Sequence, residues 1–293
     1  MKTLLAFALC ALVSVLSSQA ADIVWVSFHP SDSVPATDAA AAGFTSAPDA
    51  GYTQLLTANG HSVTRYVSTG TPDTSLLNAA DLVILSRSVP SGDYQDDPET
   101  AAWNGITAPM MIINGYVLRN SRLGYTTGAT IPDTAGTVSL AITEPSHPIF
   151  AGLTLNPDNT MATPYATAVS FSGTVQRGIS VNTDPVAGGG QILATMATVG
   201  DPAFGGMVIG EWQAGATLGN SPPDTLGGHR LVMLTGSREA SGLTSQGAGI
   251  YNLAADGGQV FLNAVDYMAV PEAPTGVLLT LGGLTLLLWR RRA

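Results

Sequence analysis

The 293-residue sequence contains one cysteine, Cys10, which stands in an apolar run near the N-terminus. If that run is removed during export, the rest of the chain has no thiol. A chain without thiols cannot form disulfides, bind zinc through thiolates or use a cysteine nucleophile. Its stability must then come from packing of the core.

Lysine is almost absent as well, because Lys2 is the only one and all other basic residues are arginines. The formal net charge is −10, from 11 basic and 21 acidic residues. Lys2 and three arginines at 290–292 stand at the two ends, so the part between them is more acidic still. Such a surface repels phosphate backbones, and we therefore expect no nucleic-acid partner.

The N-terminus has the pattern of a secretory signal peptide over residues 1–20. A charged start is followed by an apolar run at 4–16 and by small residues, with Ser18 and Ala20 at the −3 and −1 positions of a cleavage site. The apolar run is too short to span a bilayer comfortably. We expect signal peptidase to cut after Ala20 during export.

The C-terminal residues 270–293 form a different kind of signal. A proline-containing motif precedes an apolar run at 275–289, and arginines close the chain. An apolar helix followed by basic residues stays in the membrane with its basic end in the cytoplasm. At 1.5 Å per residue, this run would form a short transmembrane helix of about 22 Å. The motif and the basic tail consist of Val270, Pro271, Glu272, Ala273, Pro274, Arg290, Arg291 and Arg292.

These features, in this order, resemble the PEP-CTERM sorting signal of Gram-negative bacteria. Ala273 departs from the pattern, because that family most often has proline there. The resemblance implies recognition by an exosortase and removal of the tail. The protein would pass from an inner-membrane intermediate to the cell surface or extracellular matrix. A plain membrane anchor is the alternative, and it also leaves the body outside.

The body, residues 21–269, is long enough for one α/β domain with a substantial core. In its first half, apolar runs alternate with helix-like segments. This order predicts a flavodoxin-like central parallel sheet with right-handed crossovers and flanking helices. The first four predicted strands are residues 23–28, 62–67, 82–86 and 110–114.

The remaining part of the body is less regular. Thr, Gly and Pro are scattered over roughly 137–190, which predicts an insertion of antiparallel strands or long loops. Strand patterns return at 192–196, 207–212 and 230–235. An apolar stripe over 256–268 predicts a closing helix.

Several short segments of the body resemble the class I glutamine amidotransferase-like superfamily, in the group that includes ThuA-type domains. They are YTQLLTANGH, DLVILS, APMMIING, HPIFAGL, VIGEWQAG and GGQVFLNAVDYM. The resemblance implies a flavodoxin-like fold, but a fold alone does not define a function. In catalytic relatives a cysteine follows the fourth strand; here that place reads Asn114-Gly115-Tyr116, and an amide cannot serve as nucleophile. The family's late catalytic histidine has no counterpart either, since His229 precedes a strand.

Ligands of open parallel sheets bind beyond the carboxyl ends of the strands. This rule predicts a site from the residues that follow the first, third and fourth strands, which are His29, Arg87, Ser88, Asn114, Tyr116 and Arg119. Arginines and an aromatic ring suit a carboxylate or a polyol, because arginine offers paired donors and the ring can stack. We expect Arg87→Ala to weaken ligand binding without unfolding the domain. Alternatively, the arginines pair with carboxylates such as Asp93, and His29 caps a loop.

Glu211 is a further candidate for the same site, because Glu211-Trp212 ends a predicted strand. An acid beside an apolar platform suits a sugar. The alternative is that Trp212 belongs to the core and Glu211 to its margin.

The acidic segment at 93–99 has two interpretations. Asp93, Asp96, Asp97 and Glu99 could bind calcium, which prefers clustered carboxylates. The same residues also form a helix start, with Asp97 as N-cap, proline in the first position and Glu99 near the positive end of the dipole. We favour the helix start and expect no metal and no cofactor.

Two functions from different classes follow from these patterns. One is a non-catalytic or degenerate surface domain that binds a partner or an extracellular polysaccharide. The other is a carbohydrate-active hydrolase or lyase with its site at the carboxyl edge of the sheet. Serine catalysis would need a G-x-S-x-G elbow, which the sequence lacks. A deep pocket that unites Arg87, Asn114 and Tyr116 with Glu211 would favour the enzyme.

Overall fold

The computed structural model describes residues 20–134, 136–166, 169–171, 174–176, 178–239 and 242–269. The predicted signal helix and the predicted C-terminal transmembrane helix lie outside these residues. Within the described part of the chain, no helix is long and apolar enough to cross a membrane.

The described strands and helices alternate through the first half of the chain. The strands are β1 (Asp22–Ser27), β2 (Ser62–Val67), β3 (Leu82–Leu85), β4 (Met110–Ile112), β5 (Leu140–Ile142), β6 (Thr160–Met161), β7 (Val169–Phe171), β8 (Thr174–Gln176), β9 (Gln191–Met196), β10 (Met207–Trp212) and β11 (Arg230–Met233). The α-helices are α1 (Thr37–Ala41), α2 (Ala50–Ala58), α3 (Thr74–Asn78), α4 (Glu99–Asn104) and α5 (Ala255–Ala269). Short 3₁₀ turns occur at Ser91–Tyr94, Gly115–Val117, Pro148–Phe150 and Ser245–Gly247.

Nine of these strands form one sheet in the order β2-β1-β3-β4-β11-β10-β9-β5-β6. The first five strands in this order, β2, β1, β3, β4 and β11, are mutually parallel. Read along the sheet, they follow the 2-1-3-4-5 order of flavodoxin-like proteins. The predicted α/β class with a parallel centre is confirmed.

The other half of the sheet is antiparallel. β10 runs against both β11 and β9, β5 runs against β9, and β6 runs against β5. β7 and β8 form a separate antiparallel pair. The insertion predicted between residues 137 and 190 therefore supplies antiparallel strands, as expected. Because β10 is reversed, its last residue lies at the edge where the parallel strands begin.

The core lies on the central strands, since every residue of β3, β4, β10 and β11 is buried. The predicted stripe of α5 is buried and packs against β3, β4 and β11. The ring of Phe261 lies 5.5 Å from that of Tyr52 on α2. α2 ends as predicted, because Gly60 adopts a φ of +91°, a conformation that favours glycine after a helix.

The start of α4 differs from the prediction. The helix begins at Glu99, Pro98 occupies the N-cap position, and no side chain caps it. The prediction of Asp97 as N-cap is wrong, because the helix begins one residue later and the N–H of Thr100 is bonded to the carbonyl of Asp96 and not to the Asp97 side chain. Glu99 does lie in the first turn, as expected.

Candidate functional site

The loops at the carboxyl ends of β3 and β4 bring Arg87, Asn114, Tyr116 and Arg119 together. Asn114 joins the two loops, because its Nδ2 donates to the carbonyl of Arg87 (3.2 Å) and its Oδ1 accepts the N–H of Tyr116 (2.9 Å). The side chain is buried, and the backbone is extended with φ −111° and ψ 113°. Both ends of the amide are thus used inside the protein.

Arg87 points into this region and not towards solvent, with a relative exposure of 6%. Its Nη2 lies 3.2 Å from Oε2 of Glu239, and its guanidinium lies 4.9 Å from the centroid of the Tyr116 ring. Burial lowers the pKa of Arg87, while the charge of Glu239 opposes the shift. Arg87 thus pairs with a carboxylate, as one interpretation of the sequence predicted, but the partner is Glu239. Asp93 instead accepts a hydrogen bond from Ser68 (3.0 Å).

Arg119 is only partly buried, as is Tyr116. Its Nε donates to the carbonyl of Tyr116 (2.9 Å), and its Nη2 donates to Oγ of Ser91 (3.2 Å). Its guanidinium lies 5.5 Å from the ring centroid of Tyr116. Both arginines therefore lie within cation–π distance of one ring, and Tyr116 and Arg119 are the accessible members of the group.

His29 lies at the same edge but is fully buried. Its Nδ1 accepts the N–H of Ala36 (2.9 Å), and its Nε2 lies 2.9 Å from Oγ of Ser88. Since Nδ1 is an acceptor, the proton resides on Nε2, which donates to Ser88. Burial lowers the pKa of His29 and keeps the ring neutral. In this tautomer His29 holds the loops together and cannot take a proton from Ser88.

Glu211 does not join these residues. It pairs with Leu231 across the sheet, next to the pair formed by Trp212 and Arg230 at the start of β11. Glu211 is therefore level with the start of β11, whereas the carboxyl end of β11 lies two residues further along, at about 3.3 Å per residue. The expectation that Glu211 shares the carboxyl edge is wrong, because an apolar run predicts a strand but not its direction. Trp212 belongs to the core, with 2% exposure.

At the opposite edge, three side chains converge on the carboxylate of Glu211. Oε1 lies 2.6 Å from Nε2 of His229 and accepts a hydrogen bond from the hydroxyl of Tyr267 (2.7 Å). Oε2 lies 3.4 Å from Nε2 of His147. Burial alone would raise the pKa of Glu211, but these three partners together hold it well below its ordinary value. We refer to Glu211, His147, His229 and Tyr267 as the Glu211 cluster.

The Glu211 cluster borders a half-open cleft of about 360 Å³. One wall is the loop before β9 and the other is the loop after β10. The cleft is lined by Gly188, Gly189, Gln191, Glu211, Gln213, Ala214, Gly215 and Ala216. Sequence reasoning missed this site, because the four residues of the cluster are far apart in the chain and form no motif.

A metal centre has no support in the described part of the chain, where no group of three or more His, Cys, Asp or Glu residues is arranged to hold an ion. This includes the acidic segment around α4. The two histidines of the Glu211 cluster both direct Nε2 at the carboxylate.

Comparisons with known proteins give similarity of fold only. Neither a protein-family model nor a curated protein matches the sequence. A ThuA-like protein from Bacteroides uniformis is similar with a TM-score of 0.47 and 10% identity, over 87% of this chain and 92% of that one. A cytoplasmic protein from Salmonella typhimurium has a TM-score of 0.45 and 9% identity, over 84% and 98% of the two chains. A GMP synthase component from Thermoplasma acidophilum has a TM-score of 0.41 and 10% identity, over 86% and 95%. Similarity of this degree does not bear on function.

Proposed function

We propose that this chain is an exported surface protein whose domain, of the glutamine amidotransferase-like type, binds a partner or a glycan without catalysing amide transfer. The use of Asn114 carries this proposal. Asn114 stands where catalytic relatives have a cysteine, and both ends of its amide are bonded to Arg87 and Tyr116. The position therefore stabilises a turn and offers no nucleophile.

The binding surface of this proposal is the accessible part of the carboxyl edge, formed by Tyr116 and Arg119. A carboxylate or neighbouring hydroxyls would accept hydrogen bonds from the guanidinium, and the ring would stack on an apolar face of the ligand. Arg87 lies beneath and holds Tyr116 in place. The ligand would be an extracellular polysaccharide or another surface molecule.

Export in this proposal rests on the two ends of the sequence. Signal peptidase cuts after Ala20, the C-terminal helix holds the chain in the inner membrane, and an exosortase removes the tail after about residue 273. The mature domain is then released to the cell surface or extracellular matrix of a Gram-negative bacterium.

The carbohydrate-active hydrolase or lyase has weaker support. Such an enzyme needs an acid at the carboxyl edge with a raised pKa. Glu239 at that edge is paired with Arg87, and Glu211 lies at the other edge with its pKa lowered. Burial raises the pKa of Asp93 in the loop after β3, but this carboxyl already accepts a hydrogen bond from Ser68, which opposes the shift.

Export is tested by the intact mass of protein extracted from the surface of producing cells. The expected mass lacks residues 1–20 and the residues beyond about 273. A mature form that keeps Arg290, Arg291 and Arg292 would reduce the tail to a plain anchor.

Binding is tested with the purified full-length protein and the extracellular polysaccharide extracted from the same cells. Tyr116→Ala and Arg119→Ala should each weaken binding about tenfold, because the first removes the stacking ring and the second removes a hydrogen bond from a charged group. Arg122→Ala removes the same charge from the same loop, where the Arg122 guanidinium donates to Ser121, and should leave binding unchanged. A loss in Arg122→Ala equal to that in Arg119→Ala would indicate non-specific charge attraction and refute this site.

A further inference from the structure

The cleft beside the Glu211 cluster has walls that are fixed before any ligand arrives. In the first wall, Nε1 of Trp212 donates to the carbonyl of Ala187 (2.7 Å), and a Cβ at Gly190 would overlap the indole ring. In the second wall, the N–H of Gly215 donates to the carbonyl of Leu226 (2.8 Å). Because these walls are already fixed, ligand binding should cost little conformational entropy in the protein.

The carboxylate of Glu211 is also held in place, but it can still accept further hydrogen bonds. A carboxylate has about four acceptor positions. Oε1 already takes two short hydrogen bonds, from His229 and Tyr267, whereas the only partner of Oε2 within the described part of the chain is His147 at 3.4 Å. Since Glu211 lines the cleft, Oε2 has acceptor capacity left for a ligand there.

The remaining polar groups of the cleft are amides. Gln191 and Gln213 have exposed side chains, and each amide can donate and accept. Among the lining residues there is no arginine or lysine, so the cleft has an acidic acceptor without a fixed cation. This set excludes an anion and suits neighbouring hydroxyls, because each hydroxyl donates one hydrogen bond and accepts others.

We propose that this cleft is a second binding site, which takes a neutral hydroxyl-rich ligand such as one or two sugar residues of a glycan. Oε2 of Glu211 accepts from a ligand hydroxyl, and Gln191 and Gln213 bond to hydroxyls nearby. The volume of about 360 Å³ lies at the small end of ligand pockets, which span roughly 300–1,000 Å³. The site lies at the opposite edge from Tyr116 and Arg119 and does not depend on ligand binding there.

The test uses saturation-transfer NMR on the purified full-length protein with four neutral probes: glucose, galactose, mannose and N-acetylglucosamine. Glucuronate and spermidine serve as the anionic and cationic probes. At least one neutral sugar should bind, and neither charged probe should. Binding of spermidine alone, or of no neutral sugar, would overturn the proposal.

Two variants locate the binding. Ala214→Trp fills the cleft and should reduce affinity for the bound sugar at least about tenfold, whereas Ala101→Trp, an equal enlargement at an exposed position of α4, should not. Gln213→Ala removes an exposed amide without disturbing the Glu211 cluster and should weaken binding several-fold, which keeps the test valid if Ala214→Trp fails to fold. Unchanged affinity in Gln213→Ala and in a folded Ala214→Trp would refute the site.

Each of the two binding proposals can be refuted without refuting the other. Arg119→Ala should leave sugar binding in the cleft intact, and Ala214→Trp should leave polysaccharide binding at Tyr116 intact. Loss of cleft binding in Arg119→Ala would mean that the sugar sits at the carboxyl edge.

Discussion

Nε2 of His229 lies 2.6 Å from Oε1 of Glu211, which joins the residue before β11 to the next-to-last residue of β10. Tyr267 on α5 donates to the same oxygen at 2.7 Å. The carboxylate thus ties the reversed strand to the helix that covers the sheet. Because it is nearly buried, its ionised state depends on these donors.

The stability of the domain should depend on Tyr267 in a pH-dependent way. Tyr267→Phe removes one donor to a buried carboxylate and should lower the free energy of unfolding by about 1.5–3 kcal/mol at pH 7. The hydrogen bonds lower the pKa of Glu211 in the folded state. Their contribution is therefore complete above the ordinary value of 4.5 and decreases as the pH falls below it, where the unfolded carboxyl takes up a proton.

Urea unfolding of both proteins between pH 7 and pH 3 measures this difference. Tyr251→Phe is the control, because it removes a hydroxyl near Gly258, towards the other end of α5. A loss in Tyr267→Phe that becomes larger as the pH falls would contradict a hydrogen bond that favours the ionised carboxylate of Glu211.

Replacement of His29 should change the free energy of unfolding by an amount that depends on pH, in a higher pH range than for Tyr267. Burial lowers the pKa of His29, so the folded state favours the neutral ring. Its contribution to stability is complete above the ordinary value of 6.5 and is lost as the pH falls below it, since the unfolded histidine then binds a proton. His29→Gln should be less stable by about 1–3 kcal/mol at pH 8, because Ser88 and the N–H of Ala36 lose a partner.

Thermal or urea unfolding of wild type and His29→Gln at pH 8 and pH 5 measures this pH dependence. The difference between wild type and His29→Gln should be smaller at pH 5. A larger difference at pH 5 would mean that the ring is charged in the folded protein.

Arg87 and Arg119 should respond differently to removal. Arg87→Ala leaves Glu239 without its partner and Tyr116 without one cation, so a loss of about 1.5–3 kcal/mol is expected. This replaces the expectation from sequence that the variant keeps its stability. Arg119→Ala removes a partly exposed group and should cost less than about 1 kcal/mol. Urea unfolding at pH 7 compares them, and equal midpoints for the two variants would contradict a structural role for Arg87.

Removal of the signal peptide can be followed through Cys10. The precursor should react with one equivalent of a maleimide under denaturing conditions, and protein extracted from the cell surface should not react. The two forms differ because Cys10 is the only thiol in the chain. Labelled surface protein would place the cleavage before residue 10 or show that the segment is kept.

Much of the parallel half of the sheet could be predicted from the sequence. β3 and β4 are wholly apolar, and β1 and β11 are apolar except at their terminal residues, as burial on both faces requires. The end of α2 was marked by Asn59-Gly60, because glycine accepts the positive φ found there. The stripe of α5 follows from helical periodicity in the same way.

The rest depends on information that local patterns do not contain. β10 resembles its parallel neighbours in composition, so its reversal could not be predicted, and Glu211 was expected at the wrong edge. β5 and β6 have three and two residues and are too short to show alternation. The Glu211 cluster draws residues from positions 147 to 267, which only the folded chain brings together.

The reversal of β10 also affects how freely this protein can be changed. It places the Tyr116 and Arg119 surface and the sugar cleft on loops that leave opposite ends of one rigid sheet. Sites this far apart without shared side chains usually contribute additively to stability. The two sites are nevertheless joined through the backbone, because the segment that follows Arg119 lies along the first wall of the cleft, where the N–H of Ala187 donates to the carbonyl of Tyr125 (2.9 Å). A single side chain at either end can therefore be changed while the other end keeps its shape, whereas exchange of the whole segment after β4 would disturb both ends.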